Sequence, residues 1–326
     1  MFRKIVLIML GLGIVLSACS SSQSTKEAGA LTTIRLPMGY IPNIQFAPFY
    51  LAVEKGYFKD ANIALDFDYK FETDGVALVG AGELPFAIVS GEQVLLARAK
   101  SLPVTYVAAW YQQYPVSVVA KSDLGIVVPQ DLKGRKIGLP GLFGATYVGL
   151  RALLNAGKLK ESDVTLDAIG FNQVDLMAAG QQDIVVGYTA NEPIQLRAKG
   201  IAVTEMRVAD YAQLASNGIL ASEKVIKENP ELVRVFIGAF LKGLKDTIDN
   251  PDEAFTISEK YIPNFSQLDA AVQKQILITS IEQWKTDRLG YSDPKSWENM
   301  QDVLLDMDLI TEKMDLSKAF TNEFIP

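Results

Sequence analysis

Histidine is absent from the 326 residues, and cysteine occurs once, at Cys19. The first absence removes the commonest general base and the usual zinc ligand. The second excludes an intrachain disulfide and any thiolate cluster around a metal. Basic charge is short as well: 31 Lys and Arg stand against 38 Asp and Glu, for a formal net charge of -7, with no basic stripe. That argues against a nucleic acid partner. Without histidine or a usable cysteine, a binding protein is favoured over an enzyme, with no cofactor and no metal. Hydrophobic residues make up 49% of the chain, enough for a substantial core in one large domain or two ordinary ones.

The lone cysteine has a telling position. Arg3 and Lys4 precede an apolar run over residues 5–16, too short to be a permanent span. Leu16-Ser17-Ala18-Cys19 then resembles the bacterial lipoprotein processing box. By that resemblance residues 1–18 are a signal peptide and Cys19 is the mature N-terminus, carrying lipid such as palmitate. Each CH₂ buried in a bilayer contributes about 0.8 kcal/mol, so several chains hold a protein at the extracytoplasmic membrane surface. Residues 19–30 read as a lipidated polar tether, and folding starts near Leu31.

From there the chain alternates strand and helix patterns. Ile34, Leu36 and Met38 mark a strand that ends in the turn Gly39-Tyr40-Ile41-Pro42-Asn43, and a helix follows to a Gly56 stop. Further strands are expected at residues 63–69, 86–89, 104–109, 164–169, 184–186 and 216–221, with helices between most of them. This order predicts mainly parallel sheets flanked by helices, with ligands at the turns after the strands' carboxyl ends. Residues 77–104 and 175–203 also share an order: helix, Gly, strand, turn, Glu, helix, Arg-Ala-Lys, strand. Glu92 corresponds to Glu192, and Arg98-Ala99-Lys100 to Arg197-Ala198-Lys199, which suggests two lobes built alike.

Pro42-Asn43, Ala47-Pro48-Phe49-Tyr50 and Glu54-Lys55-Gly56-Tyr57-Phe58 resemble the opening of the solute-binding proteins of ABC importers, in the branch of sulfonate, taurine and thiamine-pyrimidine binders. Residues 130–138 (QDLKGRKIG) resemble the element that opens that family's second lobe. The resemblance implies a two-lobed α/β periplasmic-binding-protein fold. Lobe 1 is expected to be residues 31–122 with 219–326, and lobe 2 residues 123–218. It further implies a monomer that serves a permease and an ATPase. Some pyrimidine synthases share the fold family, but they depend on histidine and a cysteine-rich segment, which this chain lacks.

The strand-end turns are rich in aromatic and polar residues. Tyr40, Asn43, Phe46, Tyr50, Ser90, Glu92, Trp110, Phe143, Tyr147, Tyr188, Asn191 and Glu192 are the expected ligand contacts, with Trp284 a possible addition from the C-terminal helices. Flat faces sandwich a planar ring while a few polar groups read its edge. The second-lobe turn Gly141-Leu142-Phe143-Gly144 lacks the hydroxyls with which sulfonate binders of this branch cradle an oxyanion. Whole-chain likeness, with Gly187-Tyr188-Thr189-Ala190-Asn191-Glu192-Pro193, is better to riboflavin-binding lipoproteins of the branch than to binders of hydroxymethylpyrimidine or formylaminopyrimidine. A vitamin of either kind, and a sulfonate after them, remains open at this point. If Cys19 is the lipid site, Cys19→Ser should move the protein from the membrane fraction to the soluble extracytoplasmic fraction, as immunoblotting would show. A variant that stays in the membrane refutes the anchor.

Overall fold

The structure, a computed structural model, describes residues 31–326. The expected signal peptide, Cys19 and the tether lie outside the described residues. Ten strands follow in chain order: β1 (Thr32–Pro37), β2 (Ile63–Asp68), β3 (Phe86–Val89), β4 (Val104–Ala109), β5 (Val116–Lys121), β6 (Lys136–Leu139), β7 (Thr165–Ala168), β8 (Ile184–Tyr188), β9 (Val203–Arg207) and β10 (Gly218–Ser222). Seven of these lie where the apolar patterns predict strands, counting β1, and β9 starts at the strand that closes the repeat at residue 203. β5 and β6 lie outside the expected strands, although β5 is buried over five of its six residues.

β1 and β2 pair in parallel, with Leu36 opposite Phe67. β10 lies between β3 and β4 and runs antiparallel to both, placing Gly218 opposite Val89 and Ala109. The second sheet has the order β7-β6-β8-β5-β9, with β6 parallel to its neighbours and β5 antiparallel to β8 and β9. β1 packs beside β3. Each half therefore has the same plan: three strands, one antiparallel strand, and a last strand. In both halves the antiparallel strand is the one that arrives from the other half. This gives a structural counterpart to the sequence likeness of residues 77–104 and 175–203.

Strand β5 departs from the expected division. A boundary after residue 122 assigns it to the first lobe, but its backbone pairs only in the five-stranded sheet. The reason is that the chain crosses over before Val116. The crossings are residues 110–115 and 208–217, and they are tied together. The Asn217 carbonyl accepts from the backbone N–H of both Trp110 (2.9 Å) and Tyr111 (3.0 Å). Ser216 Oγ donates to the Gln113 carbonyl (3.0 Å), and Tyr106 OH donates to the Ser216 carbonyl (3.1 Å).

Helix Pro230–Asp249 anchors the first half. Asn229 caps it by accepting from Leu232 N, with Pro230 at its first position. Val233, Phe236, Ile237, Phe240 and Leu244 form its buried face at helical spacing. Phe240 stacks on Phe49 (4.6 Å) and Phe236 on Phe86 (4.1 Å). Gly243 brings this helix close to helix Ala47–Glu54, since a Cβ there would stand 2.3 Å from the Pro48 carbonyl oxygen. Among the described residues no helix is long and apolar enough to cross a membrane.

Gly218 opens β10 where the second crossing ends. A Cβ there would meet Tyr106 Oη at 2.1 Å and the Ala108 carbonyl oxygen at 2.2 Å. Gly218→Ala should destabilise the fold by about 1–3 kcal/mol through overpacking, seen as a lower midpoint in urea unfolding. An unchanged midpoint would show that the crossing can shift freely.

Candidate functional site

The segments after β1, β2, β6, β7 and β8 converge on one cleft between the two sheets. Its centre is lined by Tyr40, Phe71, Glu72 and Thr73 on one side and by Phe143, Phe171, Gln173, Tyr188 and Glu192 on the other, around a narrow space that opens to solvent. The rings cross the gap. Tyr40 meets Phe171 edge-on at 4.7 Å, and Phe71 lies 5.0 Å from Phe171 and 5.2 Å from Phe143. Asn191 Nδ2 also spans it, 3.4 Å from Tyr40 Oη. No lysine or arginine lines this central space.

Three carboxyl groups sit in or behind the wall. Glu192 begins helix Glu192–Ala198, and its carboxylate turns back to accept from Tyr188 N (2.6 Å) and Asn191 Nδ2 (3.2 Å). Gly187 makes this turn possible, because a Cβ there would lie 2.5 Å from Glu192 Oε2. Burial pushes the Glu192 carboxyl up to about 7, and the hydrogen bonds from protein donors oppose that rise only in part. Glu72 accepts from Ser90 N (3.0 Å) and Ser90 Oγ (2.5 Å), and Asn217 Nδ2 lies 3.4 Å away. Gly39, at φ +76°, leaves room for it, since a Cβ would meet Glu72 Cγ at 2.7 Å. Glu92 lies behind Ser90, whose hydroxyl it also contacts, and Tyr114 OH is 3.1 Å from it. Burial raises the affinity of both Glu72 and Glu92 for protons, and the charge of Glu92 raises that of Glu72 further. Glu92 and Glu192, paired in the sequence repeat, thus share a placement: each sits in the first turn of the helix after its half's third strand.

Two further hollows adjoin the cleft, each sharing part of its wall. One shares Thr73, Phe143 and Gly144 with the centre and runs along Leu96, Leu142, Tyr147 and Leu309. The other shares Tyr40, Phe171, Gln173 and Glu192 with it and runs along Asn43, Asn191, Gln195 and Gln273.

Of the expected contacts, the structure brings Tyr40, Phe143, Tyr188 and Glu192 into the centre, and Asn43, Asn191 and Tyr147 into the adjoining hollows. Five others fall elsewhere. Phe46, Tyr50 and Trp110 are core residues, at 5%, 0% and 2% exposure. They face inward because the element that carries the first two packs on the anchoring helix and its neighbours. Phe46 lies against Trp110 (5.7 Å), Trp110 against Trp284 (5.6 Å), and Tyr50 stacks on Tyr261 (4.4 Å) while its hydroxyl meets that of Tyr69 (2.8 Å). Trp284 is therefore core as well, with 0% exposure. Ser90 and Glu92 are fully buried and stand behind Glu72. Phe171, one of the aromatics that follow strand ends, also reaches the centre, whereas Phe71, Glu72, Thr73 and Gln173 line the wall without having been expected there. Glu72 had a signal, since it lies one helical turn before Val76 on the same face of helix Glu72–Gly80.

Comparison with known proteins agrees with this architecture. Residues 43–254 match the NMT1/THI5-like family. The chain is 40% identical to the riboflavin-binding protein RibY of Chloroflexus aurantiacus, covering 99% of this chain and 98% of that one. It is 26% identical to a formylaminopyrimidine-binding protein of Halalkalibacterium halodurans, covering 98% of each. Among solved structures, the alkanesulfonate-binding protein of Xanthomonas axonopodis pv. citri superposes with a TM-score of 0.71 at 15% identity, over 89% of this chain and 98% of that one. The fold is that of the periplasmic binding proteins.

The raised carboxyls set a pH dependence. A carboxyl whose folded value lies above its unfolded value of about 4.3 stabilises the fold fully below that value. The contribution is lost as pH rises through the folded value, near 7 for Glu192. Stability of the ligand-free protein should therefore fall from about pH 5 to about pH 8, and Glu192→Gln should reduce that fall. Urea unfolding at both pH values tests this, and an unchanged slope in the variant removes Glu192 as a source.

Proposed function

Because the chain belongs to the NMT1/THI5-like family, we propose that it is the extracytoplasmic substrate-binding lipoprotein of an ABC importer and that it captures riboflavin. The observation that carries this reading is the cleft itself: aromatic rings from both halves around a space with no cation. Such walls suit a planar, uncharged ring system. Glu192 and Glu72 supply edge acceptors for ring N–H groups, or donors where they keep a proton. The likeness to a riboflavin-binding protein over nearly the whole chain supports the same ligand.

The protein delivers its ligand to a permease and an ATPase, and Cys19 holds it at the membrane as a lipidated monomer. Two lobes, hinged at residues 110–115 and 208–217, close over the ligand. The reading is binding without turnover. The chain has no histidine and one cysteine, Cys19, which leaves the cleft without a strong nucleophile or base beyond its carboxyls. The second reading is a thiamine-pyrimidine precursor, favoured by the formylaminopyrimidine-binding relative at 26% identity. A single small ring needs only part of this cleft, and the two adjoining hollows speak for a longer ligand.

Titrating the protein into riboflavin should quench flavin fluorescence with a Kd of about 1 μM or tighter. Phe171→Ala should weaken binding roughly tenfold or more by removing one wall of the slot. A protein that leaves flavin emission unchanged but gains thermal stability with formylaminopyrimidine has the second function.

A further inference from the structure

The two ends of the cleft differ in chemistry. Beyond the centre, one end is mainly apolar, with Val76, Leu96, Leu142, Tyr147 and Leu309, and its one charged residue is Lys100. The other end mixes the amides of Asn43, Asn191, Gln195 and Gln273 with apolar residues such as Ile41 and Leu268. Its charged residues are Glu192 and Asp175, and it has no lysine or arginine. The ends share no lining residue with each other, while each shares several with the centre. The cleft is thus a slot with a polarity.

We propose that this slot holds its flavin in one orientation, with the ring's methylated edge toward the apolar end and its pyrimidine edge toward the amide end, where the hydroxylated chain on the middle ring also turns, and that the amide end accepts only an uncharged tail. The proposal rests on riboflavin being the ligand and adds how the site selects among flavins. Primary amides carry both donors and acceptors, the complement that a polyol needs. A phosphate ester at the chain's end would stand beside the Asp175 carboxylate and the buried Glu192, with no cation to pair it. Like charges in close contact and an unpaired charge taken from water both oppose binding. The protein therefore separates riboflavin from flavin mononucleotide, and a phosphomonoester hydrolysis must come before capture wherever the nucleotide is the source.

The test uses the full chain and follows flavin fluorescence with riboflavin, flavin mononucleotide and lumiflavin, which has a methyl group in place of the chain. Riboflavin should bind tightest, and flavin mononucleotide roughly 100-fold more weakly. Gln195→Lys should narrow the gap between riboflavin and its phosphate ester about tenfold by placing a cation at the amide end. Leu268→Lys, at an exposed position on the same mouth, repeats the test should Gln195→Lys misfold. Equal affinity for riboflavin and flavin mononucleotide overturns this inference while leaving the riboflavin assignment standing. So does a gap that closes with Leu142→Lys at the apolar mouth instead, which means that the tail lies there. Lumiflavin binding as tightly as riboflavin overturns the role of the amides. Failure of every flavin to bind removes the riboflavin assignment, and this inference with it.

Discussion

The carbonyl oxygen of Asn217 accepts from two consecutive N–H groups, Trp110 and Tyr111, at the point where the chain passes from one half to the other and back. Buried peptide groups must find partners, and these are supplied by the opposite crossing. The Asn217 side chain extends the tie into the cleft, since its Nδ2 donates to Tyr188 OH (3.0 Å) and lies 3.4 Å from Glu72. One residue therefore connects both crossings with a wall residue from each half. The two halves are thus tied at the floor of the cleft by hydrogen bonds that converge on Asn217. Gly218 follows directly because the backbone there passes against Tyr106 with no room for a side chain.

The cleft's electrostatics follow from the same economy of space. Carboxyls are placed where no cation reaches them, and protein donors take the cation's role: backbone N–H groups at Tyr188 and Ser90, an amide at Asn191 and a hydroxyl at Ser90. Such donors hold a carboxylate in place but do not cancel the cost of burying its charge, so these groups keep protons at higher pH than usual. Many lysines and arginines among the described residues pair elsewhere, as Arg98 does with Glu223 and Arg151 with Glu161. A wall of rings and proton-holding carboxyls suits a flat, neutral ligand with polar edges.

Much of the architecture was legible from residue order. Apolar runs bounded by Gly and Pro marked most strands, and the likeness of residues 77–104 to residues 175–203 anticipated two sheets with one plan. The site was legible in part. Tyr40, Phe143, Tyr188 and Glu192 follow strand ends and do reach the cleft. Trp110 also follows a strand end, yet it turns into the core against Phe46, Phe49 and Trp284. Position after a strand says that a residue is near the cleft's edge of the sheet, not on which side its ring lies. Glu72 was missed because the apolar pattern begins at Val76, whereas the helix begins one turn earlier.

Local sequence alone determined the alternation of strands and helices, the turn at Gly39 to Asn43, the scarcity of nucleophiles and bases, and the acidic balance. These depend on backbone preference and composition, which each segment carries with it. Tertiary structure decided which sheet receives β5, which aromatics became core, and how Glu72, Ser90 and Glu92 came together from two helices and a strand end. Those outcomes depend on contacts between residues far apart in the chain. No local pattern encodes them, because the same ring or carboxyl gains a different partner according to which element packs against it.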